Sequence, residues 1–479
     1  MRKVLRDTGY LAALHDHDGD VVRQALEING KTVFTLEQII GQLTTADIAW
    51  TGAPGNPTPR AGVGTITYAF FNSAFEVYSS EQSEFQPMSP AQREAIRNAF
   101  AIWGDFVNVS FVEGTVATAD INIGNLATDE DYFSAYASYP GFSQVSGDMW
   151  FSTIAESNQE IGLAQPGFRT MMHEIGHALG LSHPGDYNAS PDVELTYAND
   201  AEYYQDSLQY TIMSYFASSS TGAVRTSFAA TPMAHDIAAI QSLYGVNMTT
   251  RTGDTTYGFN SNAGRPAFDF AQNTLPVIAI WDAGGVDTLD FSGWSSPSRI
   301  DLNSGESSDG GGQTFNVQIA FGTFIENATG GGGDDQITGN NLANTLLGGG
   351  GNDRLQGGLG NDRVEGGSGA DVFVFGGPGD SRDFAPRSDG KKGIGDLLND
   401  FVSGTDRIDL SAIDAIASSG ANDAFTYIGA GAFTGQAGQL RTFVGEGRVH
   451  IYGDTNGDMT ADLHIMVAGT QILAADFIL

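Results

Sequence analysis

Residues 330–374 read Gly330-Gly-Gly-Gly-Asp-Asp-Gln-Ile-Thr338, Gly339-Asn-Asn-Leu-Ala-Asn-Thr-Leu-Leu347, Gly348-Gly-Gly-Gly-Asn-Asp-Arg-Leu-Gln356, Gly357-Gly-Leu-Gly-Asn-Asp-Arg-Val-Glu365 and Gly366-Gly-Ser-Gly-Ala-Asp-Val-Phe-Val374. These are five copies of one nonapeptide in phase. The sixth position holds Asp335, Asn344, Asp353, Asp362 and Asp371, and the eighth holds Ile337, Leu346, Leu355, Val364 and Phe373. Flexible glycine linkers have no phase and collagen has a period of three, so neither accounts for the pattern. The second copy departs from it, with Asn340 and Leu342 where the others carry glycine.

A nonapeptide of this form predicts a parallel β-roll that holds calcium. Each copy can supply a six-residue turn and a three-residue strand. The glycines permit positive φ and close stacking of turns, and the eighth-position side chains build a thin core. Six to eight hard oxygen ligands suit Ca2+ better than Mg2+. The predicted ligands are the sixth-position side chains and the carbonyls at positions two and four. Those carbonyls belong to Gly331 and Gly333, Asn340 and Leu342, Gly349 and Gly351, Gly358 and Gly360, and Gly367 and Gly369. Similar chemistry flanks the repeats. Upstream, Arg251, Gly253 and Thr255, then Asp282, Gly284, Gly285 and Asp287, offer carbonyls and carboxylates, and Phe324 and Glu326 follow. Downstream, Asp400 and Asp406 sit in an acidic stretch that begins at Asp396.

Over the whole chain, 57 acidic against 22 basic residues give a net charge of −35. Such a surface repels nucleic acid and anionic membranes and suits a protein that gathers cations. With no cysteine, stapling falls to packing or to metal held by oxygen and nitrogen. The N-terminal ten residues contain no apolar run of signal-peptide length, and no run of about 18 apolar residues exists for a membrane-spanning helix. At 479 residues two domains are expected.

The first half reads as α+β. Ser89-Pro90-Ala91-Gln92 predicts a capped helix start, followed by a buried stripe of Ala95, Ile96, Ala99, Phe100 and Trp103. Strand-like runs lie at Thr65–Phe71, Val109–Val112 and Ile121–Ile123. Beyond them comes Met172-His-Glu-Ile-Gly-His-Ala-Leu-Gly-Leu-Ser-His183. His173 and His177 share one face of a helix, and Phe168, Met172, Ile175 and Leu179 form the opposite, buried face. Gly180 can end the helix in a left-handed turn that returns His183 to the other two imidazoles. Three neutral nitrogens with an open fourth position suit catalytic zinc, with Glu174 as general base. A bare His-Glu-x-x-His is weak evidence, whereas the full eleven-residue pattern is specific.

On these motifs the chain resembles the serralysins, metzincin zinc proteases joined to a calcium-binding roll, over roughly Tyr10 to Leu479. The resemblance implies an α+β metzincin-like protease domain at 21–245 after a short leader at 1–20. An all-β parallel roll follows at 246–479. It implies that Thr211-Ile-Met-Ser-Tyr215 is the turn beneath the zinc, with Met213 structural and Tyr215 a further zinc ligand that swings away to stabilise the transition state. It implies one catalytic Zn2+ and several structural Ca2+, protein and peptide substrates, a proteinaceous inhibitor, and a monomeric, secreted, extracellular enzyme. Export would use a type I ABC apparatus that reads an uncleaved C-terminal signal, a role for which Asp476-Phe-Ile-Leu479 is suited.

Three alternatives stay open at this point. A non-catalytic adhesin would carry a degenerate metal site. A lipase would need Gly-x-Ser-x-Gly, which is absent. A zinc enzyme acting on other bonds would lack proteolysis. The remaining histidines, His15, His17, His235, His450 and His464, match no ligand spacing, although His15 and His17 could cover a zinc in a latent form.

Overall fold

The structure, a computed structural model, describes residues 26–46, 48–50, 64–128, 134–141, 143–188, 193–381 and 395–479. The leader at 1–20, with His15 and His17, lies outside them. The chain divides into two compact units. The first holds the described residues up to Thr252 together with Arg265–Ala283 and Gln313–Thr323, and the second holds Gly253–Gly264, Gly284–Gly312 and Phe324–Leu479. Two later segments return to the first unit, where Ile278–Ile280 pairs in parallel with Val317–Ile319. Val277, Ala279, Trp281 and Ala320 join that unit's core.

In the first unit a mixed sheet runs in the order Ser110–Glu113, Thr65–Phe70, Ile121–Leu126, Met149–Ser152, Ala135–Ala137, and Phe85–Gln86 also pairs with Ile121–Leu126. The strand Ile121–Leu126 is buried at every position, which follows from its place in the middle of the sheet with parallel neighbours on both sides. The helix Pro90–Phe106 starts with the reciprocal cap: Gln92 N–H donates to Ser89 Oγ at 3.2 Å, and Ser89 N–H donates to Gln92 Oε1 at 2.9 Å. It buries the expected stripe and, in addition, Ile102 and Phe106. Trp103 Nε1 donates to the Met172 carbonyl at 3.2 Å, tying this helix to the one that carries the histidines.

In the second unit the nonapeptides alternate between two parallel sheets. The strands at 327–329, 345–350, 363–368 and 397–398 lie in one sheet, and those at 336–338, 354–356, 372–374 and 407–409 in the other. Two copies thus make one 18-residue winding. In the first sheet Ala328, Leu346, Val364 and Leu398 are in register, and in the second Ile337, Leu355, Phe373 and Ile408 are. All eight are at most 3% exposed, so the eighth-position side chains are the core. The three-residue strand holds for the second sheet. In the first, Thr345–Gly350 and Arg363–Ser368 are twice that length, because pairing continues through Gly349↔Gly367 and Gly350↔Ser368. Carbonyls of one winding point at the position-two and position-four glycines of the next. A Cβ at Gly349 would collide with the Gly331 carbonyl, and Gly349 itself takes a φ of 106°. The antiparallel strands Gln439–Gly445, Arg448–Asp454 and Leu463–Ala468 extend the first sheet, the last of them pairing in parallel with Leu397–Leu398. At the chain end Phe477–Ile478 pairs in parallel with Ile408–Asp409.

Candidate active site

The helix Pro166–Ala178 carries His173, Glu174 and His177 and is buried almost all round, beyond the single apolar face expected of it. Its end is a two-bond left-handed stop: Leu181 N–H donates to the Gly176 carbonyl and Gly180 N–H to the His177 carbonyl, both at 2.9 Å. Gly180 has a φ of 106°, and a Cβ there would collide with the Ile48 carbonyl. Replacing Gly180 by alanine is therefore expected to cost roughly 2 kcal/mol or more of stability. Urea unfolding of the two proteins measures the difference.

The turn returns His183 to the helix, so that one ring nitrogen from each of His173, His177 and His183 lies within 4.8 Å of the other two. Each Nδ1 faces a backbone carbonyl: His173 that of Ile212 at 2.8 Å, His177 that of Leu181 at 2.7 Å, and His183 that of Tyr187 at 3.0 Å. A carbonyl can only accept, so Nδ1 is the protonated nitrogen and Nε2 keeps its lone pair. The Nε2 atoms of His177 and His183 then face each other, lone pair to lone pair, at 3.0 Å. Two such acceptors repel unless a cation lies between them. Burial holds all three rings well below the usual histidine range, His177 at about 3 and His183 at about 4, and neighbouring imidazoles add to it at His173 and His177. The rings are therefore neutral ligands at neutral pH, and this donor set fits zinc.

Glu174 is 5% exposed, and its Oε2 is buried without a hydrogen-bond partner. Burial pushes its carboxyl up to about 8, partly offset by the Arg169 charge. A cation held by the neighbouring imidazoles would draw it back down and keep Glu174 a carboxylate, the form a general base needs.

Met213 lies under the histidine helix, where a Cβ on Gly176 would come within 2.7 Å of its Sδ. Two buried aspartates absent from the sequence reading hold this turn. Asp236 accepts from Thr211 Oγ at 2.5 Å and from the N–H groups of Ile212 and Met233 at 2.8 Å each. Asp206 accepts from Ser214 Oγ at 2.7 Å and Tyr187 Oη at 2.8 Å, and the Tyr187 ring stacks on His183. The Tyr215 ring sits 4.4 Å from that of His183, centroid to centroid, and is 39% exposed. The structure thus brings His173, His177, His183, Glu174, Met213 and Tyr215 together. His235 lies elsewhere, buried and stacked on Tyr210.

A family model described as Matrixin matches residues 65–203, and one described as the serralysin C terminal of peptidase M10 matches 246–479. Among whole proteins, the metallopeptidase AprA of Pseudomonas marginalis is 40% identical, with 97% of this chain and 94% of the relative covered. The chain belongs to the serralysin family. Serralysin G of Dickeya chrysanthemi is 42% identical over 81% of this chain and 80% of its own. A serralysin of Photorhabdus luminescens is 39% identical over 86% and 84%. This serralysin is a zinc metalloendopeptidase. None of its described helices is long and apolar enough to cross a membrane.

In the second unit of this serralysin the sixth-position carboxylates form two ladders. In one, Oδ1 of Asp335, Asp353, Asp371 and Asp406 accepts in turn from the N–H of Ser298, Asp335, Asp353 and Asp371, at 2.7–3.0 Å. In the other, Asp287 accepts from Thr255, Glu326 from Asp287, Asp362 from Asn344, and Asp396 from Asp362, each at 2.8 Å. Oδ2 of Asp353 and of Asp362 is buried with no hydrogen-bond partner, and a carboxylate oxygen of this kind is a hard ligand suited to a cation. Asp396 extends a ladder across the interruption after Ser381. Asp400 instead accepts from Gly366 and Gly367 N–H.

The irregular second copy is satisfied differently. Asn340 Nδ2 donates to the Leu302 and Ile325 carbonyls, Asn344 Nδ2 to that of Glu326, and Asn340 Oδ1 accepts from Leu342 N–H. Upstream, a Cβ on Gly285 would lie within 2.6 Å of both the Gly253 carbonyl and Asp287 Oδ1, so these groups converge. Gly284 neighbours them, and Phe324 is exposed. Arg251 and Asp282 fall in the first unit, where the Arg251 guanidinium pairs with Asp105.

Proposed function

We propose that the chain is a secreted endopeptidase of extracellular proteins. His173, His177 and His183 would hold one zinc ion through Nε2, with Tyr215 as a further ligand. Zinc bound there supplies Lewis-acid polarisation of the scissile carbonyl and of the attacking water. Glu174 takes the water proton on its carboxylate and passes it to the nitrogen of the leaving amine. The Tyr215 phenol donates to the oxygen that becomes negative in the transition state. Met213 supports the histidine helix from below. The observation that carries this reading is the pair of facing Nε2 lone pairs beside the orphaned Glu174 oxygen.

The second unit is read as a calcium-filled β-roll, with ligands from positions two, four and six of the repeats, the 253–287 region, Glu326 and Asp406. The ladders lead us to add Asp396. Extracellular modules bind calcium with dissociation constants of about 10⁻⁴–10⁻³ M. The roll would therefore fold after export, which the serralysin resemblance assigns to a type I ABC apparatus.

A gelatin zymogram of the purified protein is expected to clear at the protein's own band, to stay opaque with a zinc chelator, and to clear again on adding zinc. Clearing that survives the chelator contradicts a metal-dependent peptidase, and no clearing in any lane favours the adhesin alternative.

A further inference from the structure

Arg169 is one helical turn before His173, on the same face, and five residues before Glu174. Among the described arginines of the first unit it stands apart. Arg97 pairs with Glu113, Arg251 and Arg265 pair with Asp105, and Arg93 and Arg225 donate to an amide oxygen and to carbonyls. Arg169 has no ion-pair or hydrogen-bond partner among the described residues, and its Nε is fully buried. Its guanidinium carbon lies 5.8 Å from the centre of the Phe228 ring. Phe228 is 39% exposed and lines an open cleft of about 210 Å3 with Ala164, Gln165 and Leu275. The Arg169 charge reaches both His173 and Glu174.

A guanidinium held without a counter-ion beside the reacting groups is a fixed positive charge with planar donors to spare. On a chain of net charge −35 it is a positive charge one helical turn from a residue of the histidine triad. An extended peptide advances about 3.3 Å per residue, so residues flanking the scissile bond come within reach of a long side chain one turn from His173. A carboxylate there would complete a charge-assisted, two-pronged pair.

We infer that Arg169 is a specificity-determining residue that receives an acidic side chain of the substrate next to the scissile bond. The inference rests on the peptidase reading. Its test uses fluorogenic peptides that carry glutamate or glutamine at each of the two positions on either side of the cleaved bond, with casein as a control. The wild-type enzyme is expected to favour glutamate over glutamine at one position by about tenfold or more in kcat/KM. Arg169→Gln should bring that ratio near one, the ratio being taken between two peptides on the same enzyme so that any change in Glu174 cancels. Arg169→Lys should keep a reduced preference. A wild-type enzyme with no preference for glutamate at any position overturns the inference without recourse to a variant. So does an Arg169→Gln enzyme that slows both peptides alike, which would make the residue a support for Glu174 or for the fold. A zinc-loaded wild-type protein that cleaves neither peptides nor casein overturns the peptidase reading itself.

Discussion

Glu174→Gln is expected to leave less than about 1% of wild-type kcat on casein, a loss within the 10²–10⁴ range of a general base. The amide is isosteric, so the buried site keeps its shape, but it accepts no proton at neutral pH. Zinc content and unfolding midpoint should stay close to wild type, because Glu174 is not one of the three converging residues. More than about 1% of residual activity at full zinc occupancy would exclude the role.

The second large effect is expected on calcium removal. In the ladders burial raises the carboxyl of Asp353 to about 7, with help from Asp371 and Asp335, and it raises Asp335, Asp362, Asp371 and Asp396 as well. A carboxyl raised on folding binds more protons folded than unfolded. Without metal its contribution is therefore most favourable below about pH 4 and is lost as pH rises toward 7. Calcium reverses that slope, because it binds the ionised form and competes with the proton. Each site is worth about 2.7 kcal/mol when free calcium is 100 times its dissociation constant. In EGTA at pH 8 the β signal of residues 246–479 is expected to collapse, and lowering the pH to 5 should restore part of it. In 10 mM calcium it should persist at pH 8. Circular dichroism melts across that pH range measure this. A roll equally stable at pH 8 with and without calcium would show that the ladders need no cation.

Much of this was legible in the sequence because it is periodic or local. The nonapeptide phase carries the register of both sheets, and the eleven-residue histidine pattern carries the helix, its glycine stop and the return of His183. What was not legible depends on distant contacts. Asp236 and Asp206 hold the turn around Met213 through partners 8 to 25 residues away, with no local motif to mark them. Asp396 joins its ladder after a break of 34 residues from Asp362, where the repeat phase is lost. Ile278–Ile280 and Val317–Ile319 are three-residue apolar runs with no period, so their return to the first unit could not be told from further turns of the roll. That Arg169 finds no ion-pair or hydrogen-bond partner among the described residues is a property of folded neighbours alone.

The most direct measurement is anomalous diffraction at the zinc edge from crystals of the active enzyme. The account predicts one peak about 2.0–2.1 Å from Nε2 of each of His173, His177 and His183. A peak elsewhere, or a map in which His183 has turned from the other two and its place is vacant, would contradict it.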